Sequence, residues 1–276
     1  MDEFDDFKFD WIENSVVVAM LFLSFLIGVY YTFCNKQKTF VDYMLGGRTM
    51  GIFPVTMSLV ASSISGLSIL GIPTEVYLYG TQFAAANFVP FLLTLVVAFL
   101  YLPVYYKLQL NSHFEYLQLR FNKHVRILGV TIYCITMIIF LPVVIFIPAV
   151  CLNQVTGISV STIAFGISGI CIFYTSFGGL KAVMWTDAVQ NMFTFFGMVF
   201  VIIVSCINFG VSEIWRINKE GGRLEMFNMD PNPFARNTLW SSSIGYFFNF
   251  MCNLAIFPAS IQRYLAVPTL TKARWS

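Results

Sequence analysis

Five serines, Ser58, Ser62, Ser63, Ser65 and Ser68, crowd the middle of the apolar stretch GIFPVTMSLVASSISGLSILGIPTEVYLYG, which Gly66, Gly71 and Pro73 interrupt. In hydrocarbon every backbone N–H and C=O needs a partner, so helix breakers at that depth are tolerated only where protein or water covers the freed groups. A helix interrupted there exposes carbonyl oxygens, suitable ligands for a small hard cation, and the dipoles of its half-helices add a site for an anion. Taken singly, each serine reads as a small residue that lets helices pack closely. The cluster together with its breakers reads as an ion and solute site.

Other reactive side chains are few. Glu75 is the one acid inside an expected span, and an intramembrane carboxylate is a functional candidate by default. Its place near the end of the stretch suits gating or structural pairing as well as ion coupling. Lys181 and Asp187, within GGLKAVMWTDAVQ, read as interfacial anchors in a structural ion pair, and His113 and His124 as ordinary surface histidines. No nucleophile stands with a base, no carboxylates pair within an apolar run and HExxH is absent, so an enzyme is unsupported.

The elements that position these residues follow from composition. Of 276 residues, 58% are apolar and 11% charged, against roughly 25% charged in a soluble domain. The charges are also bunched, leaving uncharged windows from Asn14 to Asn35, Val76 to Tyr106, Ile127 to Leu180, Ala188 to Ser212 and Asn237 to Gln262. Each is long enough for the ~20 apolar residues that cross a bilayer. The chain therefore reads as an all-α, polytopic membrane bundle whose outer surface meets lipid. A net charge of +2 without a basic stripe excludes nucleic acid as a partner. The six cysteines lie in or beside apolar windows with no CxxC, and read as small fillers of helix interfaces.

Seven spans are expected in one transmembrane domain, near 15–33, 51–79, 83–108, 128–152, 159–177, 188–209 and 239–264. The acidic tail 1–13 is unlike the basic start of a signal peptide, so the first span stays on. With that tail outside, Lys36, Lys38, Arg48, Lys107, Arg120, Lys123, Arg126, Lys181, Arg263, Lys272 and Arg274 are cytoplasmic, as is the end 265–276, and only Lys8, Arg216, Lys219, Arg223 and Arg236 are extracellular. That asymmetry obeys the positive-inside rule. A channel would need rings of charge or carbonyls, and the spans supply no charged rings; an uncoupled facilitator of sugars stays open on residues alone.

From about Phe40 to Lys272 the chain resembles the sodium/solute symporters, in the branch of sodium-coupled monocarboxylate, multivitamin and iodide transporters. The resemblance rests on DYMLGGRTMG, SLVASSISGLSILGIPTEVYLYG, PVYYKLQLNSHFEYLQLRF, PAVCLNQVTG, FYTSFGGLKAVMWTDAVQ, MDPNPFARNTLW and IQRYLAVPTLTKAR, in that order. It implies a LeuT-like fold in the plasma membrane, with an extra N-terminal helix before two inverted repeats of five, here cut short after the first repeat and about one helix. It implies Na+ as coupling ion, held by the backbone carbonyls of Ala61 and Ile64, and a small anionic solute in a cavity faced by Ser62, Ser63, Ser65, Gly66 and Ser68. The resemblance puts two departures beside that cavity. Phe140 stands where a tyrosine is common, and Phe257, Pro258, Ala259 and Ser260 replace a polar Asn-Gln-x-Gln. Family members continue past Ser276 with hydroxyls that complete the sodium site. The expected function is thus the first part of a sodium-driven symporter for a small organic anion; the alternative is a truncated, non-transporting product that associates with a full-length transporter.

Overall fold

The computed structural model of the chain describes residues 10–34, 37–110, 112–232 and 234–276. Most of the acidic tail expected to be extracellular lies outside the described residues, as do Lys8 and Lys36 of the charge asymmetry.

The first long helix, α1 (Trp11–Phe33), is followed by a short α2 (Phe40–Leu45) that Thr39 and Asp42 open with a capping box. The serine-rich stretch forms two helices, α3 (Ile52–Ser63) and α4 (Gly66–Tyr79), bent by 52°. Next, Thr81–Leu108 runs as one span, with a 3-10 entry, α5 (Val89–Val96), a π turn at Val97–Tyr101 and α6 (Leu102–Leu108). The connector carries α7 (His113–Arg120). Then come α8 (Lys123–Thr156), capped by Asn122 and ended by Gly157 at φ 72°, and α9 (Val160–Phe209). A short α10 (Val211–Glu220) leads to α11 (Leu239–Met251), a π turn at Cys252–Ile256, α12 (Pro258–Leu265) and α13 (Leu270–Arg274).

At 50 residues, α9 would be about 75 Å long if straight, far more than the ~30 Å of hydrocarbon. It is broken at Gly179, whose φ of 58° and ψ of −164° suit only glycine. This differs from the expected helices near 159–177 and 188–209. The Gly178–Gly179 pair turns the chain without a loop, and helix resumes at once, so Lys181 and Asp187 lie inside a helix rather than at its mouth. The Gln37 amide donates to the Gly178 carbonyl freed by the turn. The segment 239–264 also differs from its expected single helix, being bent by 51° before α12.

Polar side chains answer both π turns. Tyr105 donates from its hydroxyl to the Ala255 carbonyl at 2.8 Å, and Arg274 Nε to the Ala98 carbonyl at 3.1 Å. The core lies where α3, α6, α9 and α12 converge, around Val55, Leu93, Leu102, Met184, Ile261 and Val267. Large apolar side chains outside it, such as Phe22, Phe91, Ile138 and Phe200, are exposed, as a lipid-facing surface requires. All six cysteines are free; Cys34, Cys134 and Cys252 are exposed rather than packed between helices as expected.

Helix α1 packs along α9, with Gln190 Nε2 donating to Ser24 Oγ at 2.8 Å. Contact is close at Gly28, where an added Cβ would stand 2.5 Å from the Cβ of Tyr174. Gly28→Leu is therefore expected to destabilise the bundle by about 1–3 kcal/mol through overpacking. The readout is a lowered thermal midpoint in lipid nanodiscs, with Val16→Leu on the exposed face of α1 unchanged.

Candidate functional site

The first break is written in hydroxyls. Ser62 and Ser63 turn their hydroxyls back to the carbonyls of Ser58 (2.8 Å) and Leu59 (3.3 Å), a pattern that competes with the helical ladder and bends it. The ladder's last bond runs from Ile64 N to Val60 O at 3.1 Å. Ile64 is extended (φ −101°, ψ 110°), and Ser65 starts α4 by a reciprocal capping box with Ser68. The carbonyls of residues 61–64 thus lie beyond the ladder of α3, in the position of the orphan groups at any helix end. Ala61 and Ile64 are among them.

The second break is written in a proline. It falls at Phe257, which is extended (φ −62°, ψ 129°) ahead of Pro258, because a proline disfavours the α conformation for the residue before it. Pro258 then sits in the first turn of α12, where its missing N–H costs nothing.

Both breaks border one cavity of about 620 Å³, whose walls include Ser62, Ser63, Ile64 and Ser68 from the first broken helix and Asn249, Asn253, Phe257 and Ser260 from the second. Phe140 of α8 closes one side. Of the residues expected at the site, Ser62, Ser63, Ile64, Ser68, Phe140 and Ser260 therefore line a common space. Ala61, Ser65 and Gly66 are not among its walls: Ser65 is engaged in the cap, and Gly66 faces Pro148 and Ile147 of α8. Ser58, the first of the serine cluster, is fully buried away from the cavity.

Ser58 instead belongs to an ionic node. Its hydroxyl donates to Asp187 Oδ2 at 2.6 Å and accepts from Arg263 Nε at 2.6 Å, while Arg263 also donates to Asp187 Oδ2 at 3.0 Å and to the Ala259 carbonyl at 3.1 Å. Arg263 is only 8% exposed. The node ties α3, α9 and α12 together. Asp187 is thus in an ion pair, but with Arg263 rather than Lys181, which lies against Gly46. Arg263, placed by the sequence at the cytoplasmic side, is buried with its guanidinium bonded to these partners.

At the other end of α4, Glu75 accepts two bonds from Arg236 (3.0 and 2.8 Å) and one from Asn237 (2.6 Å). Arg236 also covers the Tyr79 ring, and Arg223 covers the Tyr77 ring. Glu75 is therefore a clamp between α4 and the segment that precedes α11, the pairing role among those open to it.

His113 departs from its expected surface role. It is half-buried beside Phe114, and its Nδ1 has no partner among the described residues. Desolvation lowers its pKa to about 4. Because the unfolded chain takes up the proton near pH 6.5 and the folded chain resists it, stability present above pH 6.5 is lost as pH falls toward 4. His113→Phe is expected to remove that share of the loss, read as a shallower dependence of the thermal midpoint on pH across this window.

Sequence reasoning did not find the second break or the amides of Asn249 and Asn253. The signals present were the Phe257–Pro258 pair and two asparagines spaced i, i+4 within an uncharged window.

Comparison with known proteins gives consistent results. A model of the sodium:solute symporter family matches residues 43–273. The chain is 39% identical over 265 residues to human (Homo sapiens) sodium-coupled monocarboxylate transporter 1, covering 95% of this chain and 43% of that protein. It is 38% identical over 265 residues to the sodium-dependent multivitamin transporter of Oryctolagus cuniculus, covering 95% and 41%. The fold is that of a solved Na+-coupled sialic acid symporter in a substrate-bound, outward-open state, with a TM-score of 0.90 at 24% identity over 96% of this chain and 56% of that one. The architecture is LeuT-like. The chain spans less than half the length of the curated relatives it matches.

Proposed function

The chain belongs to the sodium:solute symporter family, and from that premise we propose that it supplies the first part of a sodium-coupled symporter for a small organic anion of the monocarboxylate or vitamin type. It works across the plasma membrane with its N-terminus outside and its C-terminus in the cytoplasm. The observation that carries this reading is that two helices break against one cavity. Such breaks free peptide carbonyls and present a half-helix N-terminus, groups whose chemistry suits a cation and an anion.

Sodium binds at the carbonyls of Ala61 and Ile64. Hard cations take about six or more oxygens, so these two are part of a site that other groups complete. The solute occupies the space lined by Ser62, Ser63, Ser68, Phe140 and Ser260, while Ser65 and Gly66 shape the break beside it. Sodium bound at the break holds α3 and α4 in the arrangement that admits the solute, and downhill sodium entry drives the cycle.

The test is uptake of radiolabelled lactate, nicotinate and biotin by cells expressing the transcript that encodes this chain. Uptake of at least one is expected to collapse when external sodium is replaced by choline. Uptake indifferent to that replacement contradicts the reading. Absence of uptake, together with recovery of the chain bound to a full-length relative, favours the alternative of a non-transporting, associating product.

A further inference from the structure

An anion is held by hydrogen-bond donors, and most of those in the central cavity are already spent. Ser62, Ser63 and Ser260 give their hydroxyl hydrogens to the carbonyls of Ser58, Leu59 and Asn253. Ser68 shares its hydroxyl with Ser65 in the cap. The Asn253 amide donates to both the backbone carbonyl and the side-chain oxygen of Asn249, at 2.9 and 3.2 Å. No Lys, Arg or His lines the cavity among the described residues.

Two lining side chains keep donors uncommitted among the described residues, the Asn249 amide and the Tyr246 hydroxyl. Because Asn253 occupies the Asn249 oxygen, the NH2 of Asn249 is the end left over, and its two hydrogens match a carboxylate. The Tyr246 ring is wedged between Phe83 and Phe250, at 5.0 and 5.7 Å between centroids, which fixes where its hydroxyl can reach.

These same two residues occupy a singular position. A second cavity of about 420 Å³ is lined by Asn237, Ser241, Ser242, Gly245, Tyr246 and Asn249. It follows one face of α11 from the Glu75 clamp, through Asn237, down to the central cavity. Among the described residues only Tyr246 and Asn249 line both.

Resting on the reading that the cavity takes a small anion, we propose that Asn249, oriented by Asn253 and paired with Tyr246, is the carboxylate-reading residue at the neck between the vestibule along α11 and the central cavity. Neutral donors suit that place, since hydrogen bonds to an ionised group are stronger than neutral ones while no fixed positive charge is left to trap the solute.

The experiment places a cysteine at Ile69, an exposed residue of the central cavity wall, in the full chain in nanodiscs with sodium. It follows labelling by N-ethylmaleimide over the background of the native cysteines. Lactate should protect Ile69→Cys, and the uncharged isostere lactamide should not. Asn249→Ala should raise the half-protecting lactate concentration at least about ten-fold, Tyr246→Phe several-fold, and Asn249→Gln should restore most of the protection. Labelling without lactate at the parent rate shows that the cavity is intact in each variant. Equal half-protecting concentrations in the parent and Asn249→Ala would overturn the proposal alone. A parent chain that no carboxylate protects would overturn the anion reading of the cavity and this proposal with it.

Discussion

Asp187→Ala is expected to cost about 3–5 kcal/mol of bundle stability, the largest loss of any substitution considered, because it leaves Arg263 charged, buried and unpaired. Arg263 is 8% exposed, and its bonds at the node run to the Asp187 carboxylate and to the Ser58 hydroxyl that the same carboxylate orients. The comparison that separates an ionic node from simple packing is the double variant Asp187→Leu with Arg263→Met. Removing both charges should cost clearly less than removing one. Thermal unfolding in lipid nanodiscs measures the parent and both variants, and an Asp187→Ala chain within about 1 kcal/mol of the parent, the typical net worth of one ordinary hydrogen bond, would show that water, not Asp187, serves the guanidinium.

The second large effect is expected at the cap of α4. Ser65→Ala combined with Ser68→Ala removes both halves of the capping box, and loss of a cap costs about 0.5–2 kcal/mol. If that energy holds the break in the shape that sodium needs, the sodium concentration for half-maximal uptake should rise about ten-fold, the equivalent of about 1.4 kcal/mol. Thr136→Ala on the exposed part of α8, whose hydroxyl only bonds back to Ile132, should leave it unchanged. Unaltered sodium dependence in the double serine variant would remove the cap from the account of ion binding.

The contrast between the two broken helices explains what the residues revealed in advance. The first break was legible because its cause is local: hydroxyls at 62, 63, 65 and 68 with Gly66 beside them compete with the ladder over a few residues. The second has no such cluster. Its cause is a single proline at 258, in a segment whose hydrophobicity alone satisfies a continuous span, so an unbroken helix over 239–264 was the natural expectation. The Gly178–Gly179 pair behaves in the opposite way: the helix breaks at Gly179 and continues on both sides of it.

Long-range pairing was the least legible part. Arg263 and Asp187 are 76 residues apart, and Ser58 and Arg263 are 205 apart. Nothing local distinguishes Arg263 from the neighbouring basic residues that mark a cytoplasmic end, and only the packing of α3, α9 and α12 makes its burial possible. The same holds for Asn249. Its spacing from Asn253 is visible in the chain, but its place at the neck of two cavities depends on where α11 lies against α4.

A density map in lipid of the protein containing this chain, with sodium exchanged for the electron-dense thallous ion, tests the sodium site directly. The expected map shows two half-helices parted at Ile64 and Ser65, with a thallium peak in contact with the carbonyl oxygens of Ala61 and Ile64. A continuous helix through those residues, or a parted one with no peak at those oxygens, would contradict it.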